Sequence, residues 1–159
     1  MKQNIRRNFA SFAVALVIFI CDQWSKFYVL GQPTLTSYNT IEITPFFNIA
    51  LVFNRGVSFG MFAGQNQPLP LVAISIIIIL ILLAWLWRNS SLMVAIGVGA
   101  IIGVAIGNIT DRILYGAVVD FLDFHVAGLH WPAFNIADSF VFIGVVVLSV
   151  YSMFFENKK

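Results

Sequence analysis

The sequence predicts an α-helical integral membrane protein with four transmembrane helices and a small β platform on the outer membrane face. Hydrophobic residues make up 60% of the 159-residue chain and charged residues only 10%, whereas soluble domains are nearer half apolar and a quarter charged. The mean hydropathy is +0.91. Four apolar segments reach the roughly 20 residues that a helix needs to cross about 30 Å of hydrocarbon. The two longest segments between them carry β-strand and turn patterns.

The predicted spans cover about residues 9–28, 69–87, 92–114 and 136–155 within a single membrane domain of residues 1–159. The first span follows basic residues, as a secretory signal peptide would. No small-residue cleavage site follows it, and Ile20 stands before Cys21, where a lipoprotein signal would have a small residue. We therefore expect an uncleaved first helix. The second span is the clearest, because 71–87 carries no charge.

The distribution of basic residues predicts the orientation, since cytoplasmic loops carry an excess of lysine and arginine. With both termini inside, the inner segments hold Lys2, Arg6, Arg7, Arg88, Lys158 and Lys159, and the outer segments hold Lys26, Arg55 and Arg112. Six basic residues against three favour cytoplasmic termini. The net charge of +2 does not suggest a nucleic-acid partner, and the single Cys21 excludes an intrachain disulfide.

Two outer segments, at about 31–68 and 118–134, are expected to build the β platform. Residues 40–44 alternate Thr-Ile-Glu-Ile-Thr, a pattern typical of a half-buried strand. In the second segment, Ala127-Gly128 stands at a position that could turn a hairpin.

Polar side chains converge on the outer face. Six of the seven acidic residues lie there by this topology, and Glu156 is the exception. Asp22 and Lys26 are four residues apart and can pair along one helix face, so we predict a structural ion pair. Asp120 and Asp138 have no such partner, and they close the third helix and open the fourth in the same layer. Ionisable groups at membrane depth usually mark function or pair with each other.

Three chemical interpretations of these acids remain open at this point. Asp120 and Asp138 could share a proton and activate water as an aspartyl protease. Alternatively, Asp120, Asp123, His125, His130 and Asp138 could supply metal ligands, although their spacing matches no standard site. A transporter could use the acids as relays, but relays are expected near the bilayer midplane.

The third span carries a small-residue stripe at Gly99, Gly103 and Gly107. Such a stripe lets another helix approach closely. We expect it to pack against a neighbouring helix and to hold the polar Asn108 and Asp111 rigidly beside the outer face.

Five motifs occur in order along the chain. They are D-Q-W-S-K at 22–26, F-N-R-G-V-S-F at 53–59, G-V-A-I-G-N-I-T-D-R at 103–112, V-V-D-F at 118–121 and F-N-I-A-D at 134–138. Together they closely resemble the lipoprotein signal peptidase (signal peptidase II) family over nearly the whole chain. The chain departs from the family pattern at Val104, where a second glycine is usual, and at Val57, where alanine is usual.

The resemblance implies an aspartyl protease of the bacterial inner membrane, without metal or other cofactor, whose catalytic pair is Asp120 and Asp138. It implies cleavage of prolipoproteins just before a diacylglyceryl-modified cysteine, near the outer (periplasmic) leaflet, and inhibition by globomycin. A loop containing Asn54 would lie over the site. The residues expected to bind substrate or support the site are Asn54, Gly56, Asn108, Arg112, Asn135 and Ala137.

Overall fold

The computed structural model describes residues 2–36, 39–56, 68–88 and 91–155. These residues form the helices α1 (Lys2–Leu30), α2 (Leu69–Arg88), α3 (Leu92–Tyr115) and α4 (Ile136–Phe155), and the strands β1 (Ile41–Thr44), β2 (Phe47–Asn54), β3 (Val118–Val126) and β4 (Leu129–His130). All four helices are long and apolar enough to cross a membrane. The predicted fold class is therefore confirmed.

The predicted spans agree with the observed helices to within two residues except at the start of α1. That helix begins at Lys2 rather than near Phe9. The apolar pattern detects only the part of a helix that hydrocarbon covers, and polar residues can continue the same backbone hydrogen bonds into water. The other three helices begin at the predicted residues, and each ends at or one residue beyond its predicted end.

Helix α3 is the centre of the helical part, and α1, α2 and α4 all pack against it. In the most apolar stretch of α3, 56% of the residues are buried, against at most 22% in the other helices. Those other helices turn most of their surface outward, as expected where lipid replaces water as the solvent.

The predicted glycine stripe of α3 faces α1. A methyl group at Gly103 would lie 2.5 Å from the backbone oxygen of Ala15, and one at Gly99 would collide with the backbone oxygen of Ser11. At Gly107 it would collide with the Asp22 carboxylate. The stripe therefore sets how closely the two helices approach.

Val104 does not disturb this approach. It lies in a different part of the α3 surface, in a buried cluster with Ile18, Ala100 and Ala137. A valine fills space there that a glycine would leave empty. The other departure from the family pattern, at Val57, lies outside the described residues, as do Ser58 and Phe59 of the same motif.

The four strands form one antiparallel sheet in the order β1-β2-β3-β4, built from both outer segments. The predicted platform and the predicted turn are both present. Ala127 and Gly128 both have positive φ, 51° and 79°, as a two-residue type I′ hairpin turn requires. A buried cluster of Val29, Leu35 and Phe121 joins the sheet to the end of α1.

Strand β2 was not predicted, and it corrects the expected position of Asn54. This residue is the last of β2 and pairs with Val118 of β3, so it belongs to the sheet rather than to a covering loop. The segment 47–53 mixes Asn48 and Ala50 with apolar residues, and its pairing with a strand some 70 positions away leaves no local signal.

We predict that Gly103→Ala lowers the thermal stability of the purified protein, because the added methyl group must push α1 away from α3. Overpacking of this kind costs about 1–3 kcal/mol. Gly31→Ala is the matched control, since its methyl group would meet only ordinary contacts at 3.4 Å or more. Equal melting temperatures for the two variants in the same detergent would contradict the close α1–α3 approach.

Candidate active site

Asn135 and Asp138 form a reciprocal cap at the start of α4. The backbone N–H of Asp138 donates to Asn135 Oδ1 at 3.1 Å, and the backbone N–H of Asn135 donates to Asp138 Oδ2 at 3.2 Å. This is the capping-box arrangement, in which two otherwise unpaired backbone donors are satisfied. It fixes the Asp138 carboxylate in the first helical turn, at the positive end of the helix macrodipole.

Asp120 lies on β3 and is 2% exposed. Its two carboxylate oxygens accept hydrogen bonds from two asparagine amides. Asn135 Nδ2 donates to Oδ1 at 2.7 Å, and Asn54 Nδ2 donates to Oδ2 at 2.9 Å. Asn135 therefore contacts both predicted catalytic aspartates. Its side-chain amide donates to Asp120, and it exchanges the two capping hydrogen bonds with Asp138.

A short backbone pairing brings these two parts of the chain together. The Phe134 carbonyl accepts hydrogen bonds from the N–H groups of Phe121 and Leu122, at 3.0 and 2.8 Å. The Phe134 N–H donates in turn to the Leu122 carbonyl at 3.2 Å. These hydrogen bonds bring the two ends of the segment between Asp120 and Asn135 together. Asn135, which follows Phe134, is thereby placed beside Asp120, which precedes Phe121.

Burial raises the pKa of Asp120 to about 7. The hydrogen bond from Asn54 opposes this rise, the nearby negative charge of Asp138 adds to it, and the Asn135 amide and the Lys26 charge also lower the pKa. A carboxyl group with this pKa exchanges its proton near neutral pH, as general acid–base chemistry requires.

Arg112, near the end of α3, supplies a positive charge to the same region. It is half-buried and interacts electrostatically with Asp111, Asp120 and Asp138. Its Nη1 donates to the backbone oxygen of Asn108 at 3.3 Å. No basic partner of Asp120 or Asp138 is evident from the sequence, because Arg112 is at helical spacing from neither of them.

The predicted ion pair between Asp22 and Lys26 is present, and it is part of a larger buried network. Lys26 Nζ lies 2.8 Å from Asp22 Oδ2 and 2.7 Å from Asp111 Oδ2, and it donates to Asn108 Oδ1 at 3.2 Å. Sequence reasoning missed Asp111 as the second carboxylate. The signal was available, because Asp111 follows Gly103 and Gly107 at the same four-residue spacing and so faces α1.

This network extends to the strand that carries Asp120. Asp111 Oδ2 accepts the backbone N–H of Val119 at 3.1 Å. Gln23 Nε2, from α1, donates to Asp111 Oδ1 at 3.0 Å. The buried ion pairs therefore hold α1, α3 and the start of β3 together. The point of attachment on β3 is Val119, the residue before Asp120.

The remaining residues expected to support the site lie at different distances from the aspartates. The Gly56 N–H donates to Asn54 Oδ1 at 3.1 Å, which orients the Asn54 amide. Asn108 contacts Lys26 rather than the aspartates. Ala137 is fully buried among Ile18 and Val104 in the helix core.

The five residues of the metal alternative fall into separate groups. Asp123 lies 2.8 Å from His130 Nδ1 and accepts from Asn48 Nδ2 at 3.1 Å, and the His125 ring stacks on His130. Within the described ranges, no three His, Cys, Asp or Glu side chains converge as a metal-binding group. Asp120 is on the same strand, β3, but contacts Asn54 and Asn135 instead, and Asp138 is in the first turn of α4. Neither aspartate lies near the middle of a span, where transport relays are expected.

Comparison with known proteins yields one family. The sequence model described as signal peptidase (SPase) II matches residues 14–155. A lipoprotein signal peptidase of Pelagibacter ubique (strain HTCC1062) is 36% identical over 160 residues, covering 99% of this chain and 96% of that protein. The lipoprotein signal peptidase of Alteromonas mediterranea is 41% identical over 150 residues, covering 92% and 81%.

Two solved structures, both described as bacterial membrane enzymes determined by the in meso method, share the fold. One, at 2.3 Å resolution, superposes with a TM-score of 0.80 and 31% identity, covering 94% of this chain and 91% of its own. The other, at 1.9 Å resolution, has a TM-score of 0.77 and 30% identity, covering 92% and 93%. The likeness thus extends over the helices and the sheet together.

We predict that Lys26→Met strongly destabilises the protein, because two buried carboxylates lose their shared cation. Leaving a buried charge unpaired costs about 3–5 kcal/mol. Arg55→Met is the matched control, since Arg55 is exposed. Adding Asp111→Asn to Lys26→Met should recover part of the lost melting temperature. The account of the network is wrong if Lys26→Met melts like Arg55→Met.

Proposed function

The chain belongs to the signal peptidase II family, and from this premise we propose that it is an aspartyl endopeptidase of bacterial prolipoproteins. It removes the signal peptide by cleaving just before a cysteine that carries diacylglycerol. The relatives named lipoprotein signal peptidase support the substrate class. The observation that carries the reaction type is the contact of Asn135 with both Asp120 and Asp138.

The proposed reaction uses the two aspartates as a pair that holds one proton. Asp120, with its pKa raised to about 7 by burial, is half protonated at pH 7 and carries that proton in the reactive form. Asp138, at the positive end of α4, is the ionised member. Two neighbouring carboxyl groups with different environments divide acid and base roles in this way.

In the first step, Asp138 takes a proton from a water molecule while the water oxygen attacks the scissile carbonyl carbon. Asp120 donates its proton to the carbonyl oxygen, which gives a neutral tetrahedral intermediate. In the second step, the carbon–nitrogen bond breaks, and the proton held by Asp138 passes to the leaving nitrogen of the lipidated cysteine. The hydroxyl proton returns to Asp120, so the pair ends in its starting state.

The neighbouring residues prepare the pair for this reaction. The side-chain amides of Asn54 and Asn135 each donate a hydrogen bond to one oxygen of Asp120. These two bonds hold the carboxyl group in one orientation. Arg112 offsets the negative charge of the pair. Preorganised dipoles and charges of this kind cost no reorganisation during the reaction.

The proposed location is the inner membrane, with both termini in the cytoplasm and the site toward the outer leaflet. The excess of basic residues at the opposite ends of the helices supports this orientation. The aspartates lie where the helices end and the sheet begins, a depth that water can reach. The outward apolar helix surfaces suit the acyl chains of diacylglycerol. A cyclic peptide inhibitor such as globomycin would compete with the substrate for binding at Asp120 and Asp138. The proposal needs no cofactor.

We predict that Asp120→Asn and Asp138→Asn each reduce cleavage by at least about 100-fold, the loss expected when an acid–base group is removed. The assay compares purified variants on a diacylglyceryl-modified prolipoprotein. Asp123→Asn is the matched control, because Asp123 is a buried acid of the same strand that contacts Asn48 and His130 instead. Substantial activity in either of the first two variants would rule out the pair.

The pH profile should report the shared proton. Activity requires Asp120 to be protonated, so kcat/KM should fall as the pH rises through about 7. The Asn54 hydrogen bond lowers the pKa of Asp120; Asn54→Ala should therefore move this fall to higher pH. Asn48→Ala, which removes the corresponding bond to Asp123, should leave the profile in place. A shift to lower pH in Asn54→Ala would be incompatible with the assignment.

The lipid requirement gives a separate test of the substrate. An unmodified precursor of the same sequence should be cleaved at least about tenfold more slowly, since a loss of about 1.4 kcal/mol already has that effect. The comparison uses kcat/KM in one detergent, with both precursors present as monomers. Equal kcat/KM values would refute specificity for diacylglyceryl cysteine and leave the aspartate pair untouched.

A further inference from the structure

A groove lies on the membrane-facing surface between α1 and α2, with α3 as its floor. Its volume is about 570 Å³. Residues from the three helices line it, among them Phe12, Leu16, Leu83, Trp87, Ile102 and Ile106. Nearly all of the lining is apolar, and the polar exceptions, Asn8 and Ser11, are on the first turns of α1.

This groove begins at the end of the helices opposite the aspartates and extends past the middle of α1. Its lining on α1 runs from Asn8 to Phe19, a rise of roughly 16 Å along the axis. Helix α2 runs in the opposite direction, and its contribution comes from its last residues, including Trp87. Neither Asp120 nor Asp138, nor the asparagines that contact them, is among the residues that line the groove, so the groove is distinct from the aspartate pair.

Three arginines lie within two positions of the lining residues Asn8 on α1 and Trp87 on α2, and we call this end of the groove its mouth. Arg7 is buried, and its Nε and Nη2 donate to Asn8 Oδ1 at 3.1 and 2.9 Å. Arg6 is exposed beside it, and Arg88 directly follows Trp87 at the end of α2. The acids in the described ranges all lie toward the other membrane face, and Glu156 lies outside those ranges. The mouth thus combines an apolar channel with a cluster of positive charge.

We propose that the groove binds an anionic glycerophospholipid of the adjacent leaflet. An acyl chain lies along the apolar lining, where burial of each methylene is favourable. The phosphate lies at the mouth, where guanidinium groups form strong hydrogen bonds with it. Basic pockets between transmembrane helices bind acidic headgroups in this manner, and Trp87 lies at the interface depth that tryptophan favours.

The charge at the mouth favours a lipid over the other apolar occupant that the membrane offers. A signal peptide also has an apolar segment long enough for the groove. Its preceding segment is positively charged, however, and would meet the exposed Arg6 and Arg88 at the mouth. Like charges placed together weaken binding, whereas an anionic headgroup is attracted at the same position.

The test is native mass spectrometry of the full chain, delipidated in detergent and titrated with two lipids of identical acyl chains. Dioleoylphosphatidylglycerol should bind at lower concentration than dioleoylphosphatidylcholine. Arg6→Gln and Arg88→Gln should each weaken the anionic lipid by about fivefold and leave the zwitterionic lipid unchanged. Arg55→Gln, which removes an exposed charge at the other face, should have no effect.

A second set of variants fills the groove with a larger side chain instead of removing positive charge at its mouth. Ile106→Trp should weaken both lipids, because the added side chain occupies the acyl-chain position. Ile143→Trp is the matched control, since Ile143 is 52% exposed on α4, outside the groove. The arginine variants alter exposed side chains, so the charge arm stands even if Ile106→Trp is unstable.

Three outcomes would overturn the proposal. The two lipids could bind equally well to the unaltered protein, or Ile106→Trp could bind them like Ile143→Trp. A synthetic signal peptide could also displace the anionic lipid and bind less well to Ile106→Trp, which would assign the groove to substrate. All of these are binding measurements, so they leave the proposed peptidase activity standing.

Discussion

The arrangement of this protein depends on one lysine shared by two buried carboxylates. Lys26 lies within 2.8 Å of both Asp22 and Asp111, so α1 and α3 cannot separate without exposing unpaired charge to an apolar environment. The glycine stripe lets the two helices come close enough for this contact. Through the Val119 N–H, the same ion pairs hold the start of the strand that carries Asp120. Helix packing and site geometry are thus parts of one network.

Opposing effects set the pKa of Asp120 in the site. Burial raises the pKa of Asp120 to about 7, and the amides of Asn54 and Asn135 limit the rise. Without those amides the carboxyl group would hold its proton over a wider pH range. Without burial it would lose the proton well below neutral pH and could not serve as the proposed acid. The proposed position at the membrane surface would combine the two conditions, since protein surrounds the carboxyl group and water reaches that depth.

Most of the fold could be predicted from the sequence because hydrocarbon imposes a simple rule of length and composition. This rule located all four helices, and it failed only where α1 continues into water as far as Lys2. The sheet was predicted in part. Alternation at 40–44 and the Ala127-Gly128 turn are local signals, whereas β2 depends on pairing with a distant strand.

The residues of the proposed site could be selected from the sequence, but their contacts could not. Motifs drew attention to Asp120, Asp138 and Asn135, yet the role of Asn135 as the link between them depends on the fold of the segment around Phe134. The sequence indicates Asp111 only as a polar residue held by packing, whereas the structure pairs it with Lys26. The roles of the two aspartates in catalysis stay a prediction for the cleavage assay.

The central claim is that Asp120 and Asp138 titrate as a coupled pair, and a carboxyl titration tests it most directly. Protein labelled with ¹³C at aspartate carboxyl carbons, with Asp120 assigned through Asp120→Asn, gives the pKa of this group by NMR. We predict a value near 7 in the unaltered protein and a lower value in Asp138→Asn, where the repelling charge is gone. Asp123→Asn should leave it unchanged. A pKa near 4 for Asp120, or one that Asp138→Asn does not alter, would contradict the account.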